Sequence, residues 1–208
     1  FAIPWADATR LARVIGIVPG QIVTESLTAL PALADGRVGA DPARDLAKIA
    51  VLERHLGTGR IGLGLAQGFG LRAGALASTI AHDAHNLVVV GMSDTDIRVA
   101  AERLAELGGG ICVVAAGKVT AELALPIAGL LADAPLADVI ASSRACVASR
   151  SWAAWAWLNS LCRRAISASV TSSWLPRPWR RRARALWKQR PACATASSPS
   201  GLPRRSCT

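Results

Sequence analysis

The sequence predicts an α+β domain, rich in strands and poor in helices, followed by a disordered tail. Short runs of Ile, Val and Leu recur between breaks marked by Gly and Pro, as strands require. One segment, beginning at Ser93, keeps a sustained helical period. After Asp138 the acidic residues stop altogether, and residues 151–208 show neither strand nor helix periodicity.

"RVIGIVPGQIVTE" (residues 13–25) reads as two short strands broken at Pro19 and Gly20. Residues 35–45 read as a polar connection, and "LAKIAVLERH" (46–55) as a further strand. "GTGRIGLGLAQGFGLRAG" (57–74) holds seven glycines among small and aliphatic residues. That pattern predicts strands packed closely against another backbone. "ALASTIAHDAHNLVVVG" (75–91) supplies one or two buried strands. Ser93 stands three before Asp96, a capping-box-like start, and Ile97, Ala100, Ala101, Leu104 and Leu107 keep one apolar face. Gly108 to Gly110 end that helix. Residues 110–123 then predict a strand, a turn at Ala116-Gly117 and a second strand, before Pro126 leads back to a short helix opening near Pro135.

Charge divides the chain in two. Up to Asp138 there are 14 acidic and 11 basic residues, a net charge of −3, whereas residues 139–208 hold 13 basic residues and no acid. An ordinary soluble domain mixes both signs. The tail also takes six of the seven Trp and four of the five Cys. The expected organisation is therefore a connecting remnant at 1–12, a domain at 13–140, and a basic Trp/Arg/Ser/Pro-rich tail at 141–208. The opening "FAIPWADATR" lacks a basic leader with an apolar run, and its initial Phe suggests a fragment of a longer protein. No uninterrupted apolar stretch reaches the 18 residues that read as a membrane helix. Cys112, alone in the front part, argues for a cytoplasmic protein without a disulfide framework.

Two motifs invite chemical readings. "GTGRIG" (57–62) fits the dinucleotide fingerprint letter for letter, but that fingerprint needs a following helix to face the phosphates. "LGLAQGFGL" is too glycine-rich to supply one, so a tight loop between strands is expected and no cofactor site. "HDAH" (82–85) places two of three histidines beside an aspartate. On a strand Asp83 and His85 would share one face and His82 the other with Ala84 and Asn86, so only a turn could converge them. A deaminase-type zinc site would need a Cys-x-x-Cys partner that Cys112 cannot make. In the tail, Arg180–Arg182 with Trp174, Trp179 and Trp187 could form a nucleic-acid arm or a membrane-surface anchor. The preferred reading is the product of a shifted reading frame, which explains the missing acids without invoking function.

The front part closely resembles the C-terminal domain of adenine deaminases, in the amidohydrolase superfamily. The resemblance rests on "VIGIVPGQIVTE", "KIAVLERHLGTGRIGLGLAQGFGLRAGALASTIAHDAHNLVVVGMSDTDI", "RLAELGGGICVV" and "GKVTAELALPIAGLL", over roughly residues 14–131. Members of the family continue into a helix and an apolar segment like "LALPVIP", from which this chain departs. Back-translating Trp157–Arg163 with GC-rich codons and reading from the last base of the first yields Ala-Glu-Leu-Ala-Leu-Pro, much like the missing segment.

The resemblance implies an intact enzyme that hydrolyses adenine to hypoxanthine and ammonia, using a β/α barrel with a manganese or iron centre. The barrel's His-x-His motif is absent from this chain, so the metal ligands are expected in a missing upstream part and none here. It implies that His82, Asp83, His85 and Asn86 face the barrel's active-site mouth or fix the domain against it, with Glu53, Arg54 and His55 as second candidates. The expected partners are adenine, in the intact enzyme, a missing or separate barrel, and a second copy of the chain. Nucleic acid and membrane are not expected. Three readings follow: a remnant that is inactive alone, an accessory module completing a separate barrel in trans, or a binding protein acting through the basic tail.

Overall fold

A computed structural model describes residues 1–148 except Pro19, Gly20, Ile22, His82 and Asp83. Of the tail expected at 141–208 to be disordered, residues 149–208 lie outside the described residues, whereas 141–148 are helical and Cys146 is buried in the core. In chain order the elements are β1 (Ala12–Ile17), β2 (Thr24–Ala29), β3 (Ala32–Ala34), β4 (Arg37–Gly39), β5 (Leu46–Leu52), β6 (Ile61–Gln67), β7 (Ala75–Ser78), β8 (Leu87–Gly91), α1 (Asp94–Leu107), β9 (Gly110–Ala115), β10 (Lys118–Ala124) and α2 (Leu136–Ala148). The fold is α+β, as the sequence predicts.

Eight strands form one mixed sheet in the order β10-β9-β7-β8-β5-β6-β1-β2. Neighbours run antiparallel except β1 and β6, which pair in parallel from Val14↔Leu65 to Gly16↔Gln67. The central strand β8 reads LVVVG and is buried at every position. A strand with apolar side chains on both sides of its pleat requires a covered sheet. On one face Ala75, Ala77, Leu87, Val89, Cys112 and Val114 pack under Ile97, Ala100, Ala101 and Leu104 of α1. On the other, Ile49, Ala66, Leu76, Val88, Val90 and Ile111 form a second core with Phe69, Leu125 and Cys146 of α2.

The helix signals read from sequence are realised. Ser93 caps α1 by accepting from the Asp96 backbone N–H at 3.1 Å, and Gly108 closes it in the left-handed region. Asp96 then reaches the far hairpin, accepting from the Gly117 N–H at 2.7 Å. Ala116 and Gly117, at φ 51° and 74°, form the hairpin turn between β9 and β10 that those residues predict.

Three local expectations are corrected. Residues 35–45 are not only a connection, because Asp35-Gly36 turns the β3–β4 hairpin with both φ positive. Strand β5 stops at Leu52 rather than His55, because the Glu53 carboxylate folds back on its own loop. The glycine-rich run yields one strand, β6, and the close backbone approach it predicts is made at Gly74. A Cβ there would strike the Val114 carbonyl. The fingerprint-like "GTGRIG" is a loop entering β6 rather than a helix, as expected.

Candidate functional site at one end of the sheet

Antiparallel pairing decides which loops meet. Leu52 pairs with both Leu87 and Ile61, Ser78 with Val88 and Ile111, and Gly110 with Ala124. The loops 53–60, 79–86 and 125–131 therefore gather at the same end of the sheet. This is where the sequence places all seven candidate residues.

The histidine segment is a turn, not a strand. The His85 N–H donates to the Ala81 carbonyl at 2.5 Å, and His85 adopts φ 46°. That left-handed residue cancels the strict face alternation of a strand. His82 and Asp83 lie outside the described residues.

Two neighbouring side chains grip two neighbouring carbonyls of this turn. The Arg54 Nε–H donates to the His85 carbonyl at 2.6 Å, and the His55 Nε2 lies 2.7 Å from the Ala84 carbonyl. These contacts extend the Leu52↔Leu87 register, in which Arg54 stands opposite His85 and His55 opposite Ala84. Backbone pairing ends at the strand tip, and side chains continue it. Arg54 also donates through Nη2 to the Ala128 carbonyl. Burial lowers the basicity of its guanidinium, although an arginine so shifted still carries its charge.

The 127–131 turn is held from inside as well. The buried Thr79 hydroxyl donates to the Gly129 carbonyl at 2.7 Å and accepts from the Gly110 N–H at 2.8 Å. Sequence reading missed Thr79 and this turn. The available signals were the adjacent hydroxyls of Ser78 and Thr79 in an otherwise apolar run and the Gly129 of "PIAGLL".

Glu53 serves its own loop. Its carboxylate accepts from the Leu56 N–H at 2.6 Å, and from the Thr58 N–H and hydroxyl at 2.9 and 2.7 Å. Burial pushes its pKa up, but these hydrogen bonds outweigh it and hold the carboxyl below its ordinary 4.5. Asn86 stands beside the cluster with its Oδ1 buried and unpartnered among the described residues. The arrangement brings Arg54, His55, His85 and Asn86 together and turns Glu53 aside.

Among the described residues no three His, Cys, Asp or Glu side chains converge. His55 is engaged with a carbonyl and Glu53 with its loop, so these residues do not make a cage for manganese or iron. Cys112 and Cys146 are buried thiols that desolvation pushes up to about 12 and about 11, too basic to act as nucleophiles near neutral pH. No described helix is long and apolar enough to cross a membrane.

Comparison with known proteins decides the family. The adenine deaminase C-terminal domain matches residues 21–161. The chain belongs to that family. It is 57% identical over 132 residues to an adenine deaminase of Oleidesulfovibrio alaskensis, covering 64% of this chain and 23% of that protein. It is 53% identical over 128 residues to adenine deaminase 2 of Carboxydothermus hydrogenoformans, covering 62% and 22%. An adenine deaminase of Desulfatibacillum aliphaticivorans is 48% identical over 128 residues, again covering 62% and 22%. The chain thus spans less than a quarter of the length of these relatives.

Proposed function

We propose that this chain is the C-terminal domain of a cytoplasmic adenine deaminase. The intact enzyme would convert adenine and water to hypoxanthine and ammonia, with its metal held in a barrel outside this chain. The observation that carries the reading is the 57% identity to a protein named adenine deaminase. The loop end of the sheet, with Arg54, His55, His85 and Asn86, is the face we assign to the barrel's mouth. The domain then orders that mouth, and the chain alone does not turn over adenine.

The test is to purify the 208-residue chain and follow adenine loss, with Mn²⁺ or Fe²⁺ supplied. The chain is assayed alone and mixed with the Oleidesulfovibrio enzyme trimmed of its matching quarter. No turnover alone and restored turnover on mixing is the expected result. Turnover by the chain alone would overturn its inactivity, and failure to associate would overturn the docking assignment. The frameshift reading of the tail belongs to the same proposal. The family match continues to residue 161, past the region at 139–150 where the frame is read to slip, so resequencing the locus is its direct test.

A further inference from the structure

The geometry points to Arg54 as a positioning residue that locks the histidine turn and the 127–131 turn into one unit. This rests on the reading that the loop end of the sheet is the functional end.

One guanidinium spans two loops. Its Nε–H takes the His85 carbonyl at 2.6 Å, and its Nη2 takes the Ala128 carbonyl. The two acceptors sit 31 and 74 residues along the chain from Arg54, so neither contact is a by-product of local structure. Gly129 is shaped to admit the guanidinium. A Cβ at Gly129 would lie 2.5 Å from Nη2 and 2.8 Å from Cζ, and the residue holds φ +74°. Glycine suits this position for its backbone, and a Cβ here would push the guanidinium aside.

The Thr79 hydroxyl anchors the other side of the same turn through the Gly129 carbonyl. The 127–131 turn is therefore fixed to the sheet by Thr79 and to the histidine turn by Arg54. A planar, permanently charged fork can bind two carbonyls from two loops at fixed separation, which an ammonium cannot do. Displacing either loop must disturb the other. Arg54 need not touch a substrate; it sets where the imidazole of His85 and the amide of Asn86 stand.

The test uses hydrogen exchange and imidazole NMR signals on the full 208-residue chain, in Arg54→Met, Arg54→Lys and Gly129→Ala. The probes are the amides of His85, Leu130 and Leu131, bonded to Ala81 and Ile127 carbonyls, with Ile97 in α1 as control. Arg54→Met should speed exchange at His85 and at Leu130 and Leu131 together, by about tenfold, and leave Ile97 unchanged. Arg54→Lys should restore protection to at most one of the two loops. Gly129→Ala should shift the His85 imidazole signal by pushing the guanidinium away. Unchanged His85 exchange in Arg54→Met, or a response confined to one loop, would overturn the proposal. If Arg54→Met unfolds the chain, Gly129→Ala decides, and an unmoved His85 signal then rules the coupling out. None of these readouts uses adenine turnover, so their failure and that of the functional reading are distinguishable.

Discussion

The two ends of the sheet differ in how far short-range sequence signals account for them. At the α1 end the Ser93 cap and the Ala116-Gly117 turn are local devices, and they stand beside longer reaches such as Lys48 to Asp94, 46 residues apart. At the loop end, Arg54, His55 and Thr79 reach carbonyls 29 to 74 residues away. Local devices follow from residue type and spacing, whereas long-range ones exist only once the sheet has brought its loops together. At the second end loop geometry can be specialised without rebuilding the core.

The largest expected effect tests where stability resides. Leu104 of α1 is fully buried in the core beneath the helix, while Leu131 at the loop end is 62% exposed. Leu104→Ala should cost about 2–5 kcal/mol in urea unfolding through lost burial and a cavity. Leu131→Ala should stay within about 0.5 kcal/mol, as an exposed position does. Similar losses at both sites would erase the distinction between a packed end and a loop end.

A smaller effect tests the local devices. Ser93→Ala removes the cap that accepts from the Asp96 N–H and the hydroxyl that donates to the Asp96 carboxylate at 2.7 Å. A loss of about 1 kcal/mol is expected. Faster exchange should begin at the start of α1 and reach the Gly117 N–H, which Asp96 also holds, while His85 and Leu131 stay protected. A response at the loop end would show that the two ends are not independent.

The same division explains what the sequence made legible. The α1 cap, its apolar face, its glycine stop and the β9–β10 turn are short-range patterns, and each is present in the structure. Asp35-Gly36 carried an equally short signal for the β3–β4 hairpin, but the polar residues around it read as a connection. The histidine turn was harder. Its apolar flanks imitate a strand, and only the Ala81–His85 bond reveals the reversal. Arg54 could be nominated through the family resemblance of the segment that holds it. Its acceptors could not, because a carbonyl leaves no trace in residue identity. Thr79 and Gly129 were missed for the same reason: their roles depend on each other across 50 residues.

The smallest expected effect concerns a short-range motif at the loop end. The Glu53 carboxylate accepts from Leu56 and Thr58 of its own loop, yet it adjoins Arg54 and His55. Burial disfavours its charge, but the bonds from Leu56 and Thr58 prevail and hold its folded pKa below the ordinary 4.5. A carboxyl depressed in this way adds stability above its unfolded value and loses it as pH falls through the folded one. Exchange at Leu56 and Thr58 should therefore accelerate as the pH drops below 4.5, relative to each amide's intrinsic rate. Glu53→Gln should flatten that dependence, with little change in melting at neutral pH. If the loosening stays within residues 56–58, the loop is a local device that happens to sit at the long-range end. If it spreads to His85, Glu53 also aligns Arg54 and His55 on their two carbonyls. Local and long-range order would then be joined at residue 53.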